Sequence, residues 1–178
     1  MHLFKPTYGV LLLSTFLLLG FGLPKKVEKR VVKEVERTFE VSDMSFKSII
    51  VDEQLNAELP SKITENNFNS VYKNDNLLGY VFVDQAASKT AKFDYLVLFN
   101  SQLEIVNSKV LIYREEYGGE IGSKRWLKQF FGKTGKDRVN FETNIDGISG
   151  ATISVRSMTT AIDNLLQTVG VLQEKNIL

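Results

Sequence analysis

Residues 146–152, Asp-Gly-Ile-Ser-Gly-Ala-Thr, stand directly before a strongly amphipathic helical pattern. A helix start carries unpaired N–H groups and the positive end of the peptide dipole, so it favours a phosphate. Gly147, Gly150 and Ala151 remove the side chains that would block such an approach. Thr152 brings a hydroxyl to the first turn, Ser149 brings another, and Ile153 adds a main-chain N–H. Together these residues describe a phosphate seat with Thr152 in it. A plainer reading stands beside it, with Ser149 or Thr152 as a simple helix N-cap and Asp146 as an Asx-turn residue.

The residues Asp146, Ser149, Gly150, Ala151 and Thr152 complete an Asp-x-x-Ser/Thr-Gly-Ala-Thr pattern. This resembles the flavinylation motif of FMN-binding domains. That family includes the covalent-FMN subunits of Rnf-type and sodium-pumping quinone reductase complexes. The resemblance runs more loosely over about residues 78–170, the size of one small domain. It implies FMN joined by a phosphoester to Thr152, a dedicated flavin transferase for maturation, and membrane redox subunits as partners. It also implies that Asp146 serves recognition by the transferase.

The helix after Thr152 has to hold that hydroxyl in place. Val155, Met158, Ile162, Leu165, Leu166 and Val169 fall on one face of a 3.6-residue period, a core stripe rather than a cofactor box. Gly170 is the expected end of this helix. Upstream, residues 113–122 (YREEYGGEIG) break every period, with Gly118, Gly119 and Gly122 close together. In the family this place holds a Glu- and Gly-containing segment that borders the flavin, of His-x-Glu-Thr-Pro-Gly type in Rnf-like members. Here Tyr113 stands at the histidine position and Tyr117-Gly118 at Pro-Gly. Gly118 and Gly119 suit a ring lying against bare backbone. Tyr117, Tyr113 and Trp126 are candidates for stacking on it, although Trp126 reads first as a core residue. Glu115 and Glu116 offer hydrogen bonds to ring or ribityl groups, or are ordinary surface charges.

The remaining elements follow from local patterns. Val71-Tyr72 and residues 78–83, separated by Asn74-Asp75-Asn76, read as two strands about a turn. A polar turn is expected over residues 84–90, then strands over 93–99 (FDYLVLF) and 103–113. Ser123 is positioned to cap a short helix over residues 124–131. Residues 44–59 read as a helix stopped by Pro60, and residues 61–70 as loop. The expected fold is α+β, an antiparallel meander of about four strands covered by helices on one face.

At the N-terminus, residues 8–23 form an uncharged apolar run of sixteen, on the boundary between a spanning helix and a signal peptide. No small-residue cleavage pattern follows it, which favours an uncleaved anchor. Lys25, Lys26, Lys29 and Arg30 follow the run, and by the positive-inside rule they would leave the chain in the cytoplasm. The resemblance implies the opposite, a domain facing the periplasm or outer side of a bacterial inner membrane, and we follow it. Val27, Val31, Val35 and Phe39 then make a helical stripe, either a stalk packed on the domain or a docking helix for a membrane partner. The expected division is an anchor or signal segment over 1–24, a helical stalk over 25–40 and an FMN-binding domain over 41–178.

Composition narrows the function. The chain has no cysteine, which removes disulfides, thiolate zinc sites, iron–sulfur clusters, c-type haem and a lipoprotein anchor. Its single histidine is His2. A net charge of +1 gives no footprint for nucleic acid. No Ser/His/Asp set or paired carboxylates suggest a substrate-converting site. The sequence therefore reads as an electron-transfer component of a redox complex rather than a stand-alone enzyme. The alternative is a membrane-tethered accessory domain that binds FMN reversibly or not at all, suggested by the altered 113–122 segment and the helical stalk.

Overall fold

A computed structural model describes residues 22–178. The apolar run at 8–23 lies almost wholly outside the described residues, and among these no helix is long and apolar enough to cross a membrane.

Five strands make one antiparallel meander in sequence order: β1 (Ser45–Ser48), β2 (Phe68–Lys73), β3 (Asn76–Ala87), β4 (Lys92–Asn100) and β5 (Ile105–Ile112). The strand beyond the expected four is β1, inside the stretch expected as helix. Ser45-Phe46-Lys47-Ser48 alternates in exposure and pairs with β2, Phe46 opposite Val71. Only the second half of that stretch is helical, as α2 (Glu53–Glu58), because Asp52 caps it by accepting from Leu55 N at 3.0 Å. The loop expected over 61–70 yields its last three residues to β2. The β2–β3 turn uses Asn74 and Asp75 at positive φ, which these two residues tolerate. β3 continues through the expected turn to Ala87, since Asp84 to Ala87 pair with Tyr95 to Lys92.

The sheet is covered on both faces, not one. Phe93, Tyr95, Val97 and Phe99 of β4 enter the larger core, and Leu96 and Leu98 of the same strand enter a second one. A strand buried on both faces reads as a continuous apolar run, which is the pattern of FDYLVLF. The second core is closed by α1 (Lys25–Phe39). Its Val27, Val31 and Val35 are buried against Val81, Val83 and Leu98, so the valine stripe meets the chain's own sheet. Arg30 donates to the carbonyl of Leu111, which ties the helix to β5.

The larger core is closed by α3 (Lys124–Leu127) and α4 (Thr152–Glu174). Ser123 caps α3 as expected, and a 3-10 turn over Lys128–Phe130 extends it. The six apolar residues of the α4 stripe are all buried. Helix α4 does not end at Gly170. A Cβ on Gly170 would lie 2.7 Å from the carbonyl oxygen of Gly135, so this glycine permits a close backbone crossing within a continuous helix. Seven residues earlier, Asp163 accepts from Arg138 Nε at 2.8 Å and Nη2 at 2.6 Å, and from Val139 N at 3.0 Å. These contacts fix the chain that leads into residues 146–152 onto the side of α4.

Candidate flavin site at the start of helix α4

Ala151 occupies the N-cap position of α4, and no side chain caps the helix. Neither Ser149 nor Thr152 takes the N-cap role. The first helical bond is made by Val155 N to Ala151 O at 2.9 Å. The N–H groups of Thr152, Ile153 and Ser154 are therefore left over at the positive end of a 23-residue helix. Thr152 and Ile153 are exposed there, while Ala151 is buried beneath them.

The approach to this end is bare. Gly150 has φ 80°, a conformation that suits glycine. A Cβ at Gly147 or Gly150 would meet nothing within 4 Å. The fold thus explains Gly150 by backbone angle, while the space above Gly147 and Gly150 is left open to a ligand. Ser149 and Asp146 are exposed along the same edge. Asp146 is held by its backbone on both sides: its N–H donates to Gln129 Oε1 at 2.8 Å, and its carbonyl accepts from Trp126 Nε1 at 2.7 Å. Trp126 itself is buried, edge-on to Phe130 at 5.3 Å between ring centroids. It is a core residue that supports the loop, not a stacking surface.

The irregular segment 113–119 arrives beside this edge. Tyr113 Oη donates to the carbonyl of Tyr117 at 2.9 Å and lies 3.1 Å from Ser154 Oγ. A phenol has one proton to give, so the Ser154 hydroxyl is the donor in the second contact. Gly118 has φ 84°, and a Cβ there would lie 2.7 Å from Tyr113 Oη and 3.4 Å from Ala151 Cβ. Gly118 is thus the contact between the two segments, with Gly119 exposed next to it. Tyr117 is 80% exposed and Ile153 is 51% exposed. Among the described residues only one other large apolar side chain, Ile50, is comparably exposed. Two of the three therefore flank the same helix start.

Glu115 is placed elsewhere. Its Oε1 accepts from Thr90 N at 2.8 Å and Ala91 N at 3.2 Å, on the β3–β4 turn. Hydrogen bonds from the Ser88 hydroxyl and the Thr90 N–H hold its carboxyl below the usual carboxylate range. Arg114 anchors the same stretch through Asp94 at 2.5 Å and the Lys92 carbonyl at 2.8 Å. These two residues secure the base of the segment, while Tyr113 and Gly118 bring its tip to α4. Beyond Ile153, a shallow groove of about 480 Å³ follows α4 over Ala86 and Ala87. Arg156 lies along it, with its guanidinium 4.4 Å above the ring of Phe141.

Of the residues singled out in the sequence, Asp146, Ser149, Gly150, Ala151, Thr152, Ile153, Tyr117, Gly118 and Gly119 come together at this place. Ser154 and Gln129 were not anticipated. Each acts through a partner remote in sequence, and no local pattern marks such a pairing. Residues 89–167 match the model of the FMN-binding domain family. Over these residues the chain is similar to FMN-binding domains. A comparison with curated proteins finds no match. The matched residues span β4, β5, segment 113–122, α3, the 146–152 loop and most of α4, which is every element that forms the site. Its residues fit FMN: a capless helix start for the phosphate, bare glycines for close approach, and exposed Tyr117 and Ile153 for an apolar ring system.

Proposed function

We propose that this flavin-binding protein is a membrane-anchored, extracytoplasmic electron carrier whose FMN is held covalently through a phosphoester to Thr152. The observation that carries this reading is the exposed Thr152 hydroxyl at the first position of a long helix that has no side-chain cap. A phosphodiester at Thr152 retains one negative charge, and the leftover N–H groups of Ile153 and Ser154 are suited to receive it. Tyr117 and Ile153 flank the ring system, and Gly118 and Gly119 let it approach the backbone. The flavin, when bound, supplies the redox chemistry, and the protein binds and orients it. Tethering keeps the cofactor in place where free FMN is scarce, because its local concentration no longer depends on supply.

The reading places the chain in a bacterial inner membrane through residues 8–23, with the domain on the outer face. A flavin transferase matures it, and membrane redox subunits exchange electrons with it. The test is expression of the full-length chain with and without a flavin transferase, followed by acid denaturation and gel electrophoresis. Flavin fluorescence should stay with the protein band only when the transferase is present, and Thr152→Ala should abolish it. Colour released into the acid supernatant would establish reversible binding instead.

A further inference from the structure

A second concavity lies along the β5 edge of the sheet, between α1, β5 and α3, with a volume of about 260 Å³. Its walls carry four cations, Arg37, Lys109, Lys124 and Lys128, against one carboxylate, Glu34. The crevice thus holds an excess of three positive charges in a chain whose total is +1. Lys109 pairs with Glu34 at 3.7 Å. Among the described residues, no carboxylate lies within salt-bridge distance of Arg37, Lys124 or Lys128. Lys124 and Lys128 stand four residues apart, a spacing at which like charges on a helical turn repel. Leu127, between the two lysines, supplies the apolar contact of α3 and accepts the Ser108 hydroxyl through its carbonyl at 3.2 Å.

Directional donors accompany the charge. The Thr38 hydroxyl accepts from Asn107 Nδ2 at 2.8 Å, which leaves its own proton free to point into the crevice. Donor groups therefore line the crevice from three elements: Arg37 and Thr38 on α1, Lys109 on β5, and Lys124 and Lys128 on and beyond α3. A planar carboxylate presents two oxygens and cannot face all of them. A tetrahedral phosphoryl group presents oxygens in several directions and accepts many charge-assisted hydrogen bonds at once. We propose that this crevice is an anion site that binds a phosphoryl group, distinct from the flavin phosphate seat at Thr152.

The test uses the full-length chain in detergent, labelled with nitrogen-15 and titrated with inorganic phosphate at constant ionic strength. Saturable shifts are expected at the amides of Ser108, Lys109 and Lys124. The double variant Lys124→Glu/Lys128→Glu should weaken binding by about tenfold or more, as expected for loss of two charge-assisted hydrogen bonds. Lys47→Glu/Lys175→Glu, which reverses two exposed charges elsewhere, should leave it unchanged. Short-chain phosphatidylglycerol added to the same detergent solution identifies the source: saturable shifts at the same amides, competed by inorganic phosphate, assign the site to a lipid headgroup, and shifts with inorganic phosphate alone assign it to a soluble phosphate. The proposal is overturned if phosphate gives no saturable response, if sodium chloride reproduces the response, or if both double variants behave alike.

Discussion

Trp126 holds Asp146 in place: the indole N–H donates to the main-chain carbonyl at 2.7 Å from a ring buried in the core. The first residue of the 146–152 segment is thereby referenced to the rigid interior, although its side chain is exposed. With Gln129 accepting the Asp146 N–H, the loop before Thr152 is set by α3 on one side and α4 on the other.

Trp126→Phe keeps most of the ring and removes the donor. The expected loss of stability is about 1 kcal/mol, read by thermal unfolding. Flavin bound per folded chain should fall as well, because the loop loses its reference point. An unchanged flavin content in a folded Trp126→Phe protein would show that the bond does not position the site.

Gly118→Ala combines two penalties, a positive φ and a Cβ 2.7 Å from Tyr113 Oη. A destabilisation of about 1–2 kcal/mol is expected from the backbone alone, with the steric conflict added. Tyr113→Phe in the same chain should relieve only the steric part. A double-mutant cycle on chemical unfolding separates the two, and a non-zero coupling energy is the expected result.

Much of this site is legible in the sequence because its parts are local. The Gly-rich loop, the hydroxyl at the helix start and the 3.6-residue stripe of α4 lie within one stretch of chain, and each has its own pattern. Strand β4 was equally plain, but its meaning was not. A run of alternating faces that is apolar apart from Asp94 signals burial on both sides, and so a second helical layer, which α1 provides. Strand β1 was hidden by its length: four residues cannot establish a period of two against the helical signal that follows Asp52. The fate of Glu115 and the support from Trp126 and Gln129 depend on partners 17 to 25 residues away. No short-range pattern encodes such contacts.

Gly170 shows the same lesson with a testable sign. In an ordinary helix interior, Gly→Ala stabilises by up to about 1 kcal/mol. Here the added Cβ meets the Gly135 carbonyl at 2.7 Å, so Gly170→Ala should destabilise by about 1–3 kcal/mol. Urea unfolding at neutral pH reads the sign directly.

Asp163 connects stability to pH. Hydrogen bonds from Arg138 hold its carboxyl below the usual range despite partial burial. A depressed folded value means that the ionised group stabilises the protein fully above the ordinary carboxylate range. That contribution is lost as pH falls through the depressed value. Asp163→Asn should therefore cost about 1–2 kcal/mol at neutral pH, a figure kept low because Arg138 is largely exposed. The deficit should shrink on acidification, and unfolding curves of both proteins across the acid range would show the two converging.

The central claim concerns one oxygen atom, the Thr152 hydroxyl. The mass of the proteolytic peptide containing Thr152, taken from the protein purified from its own cells, reads the bond at that oxygen. The peptide is expected with the added mass of one FMN esterified to Thr152. The same peptide at its unmodified mass throughout the native preparation would contradict that claim.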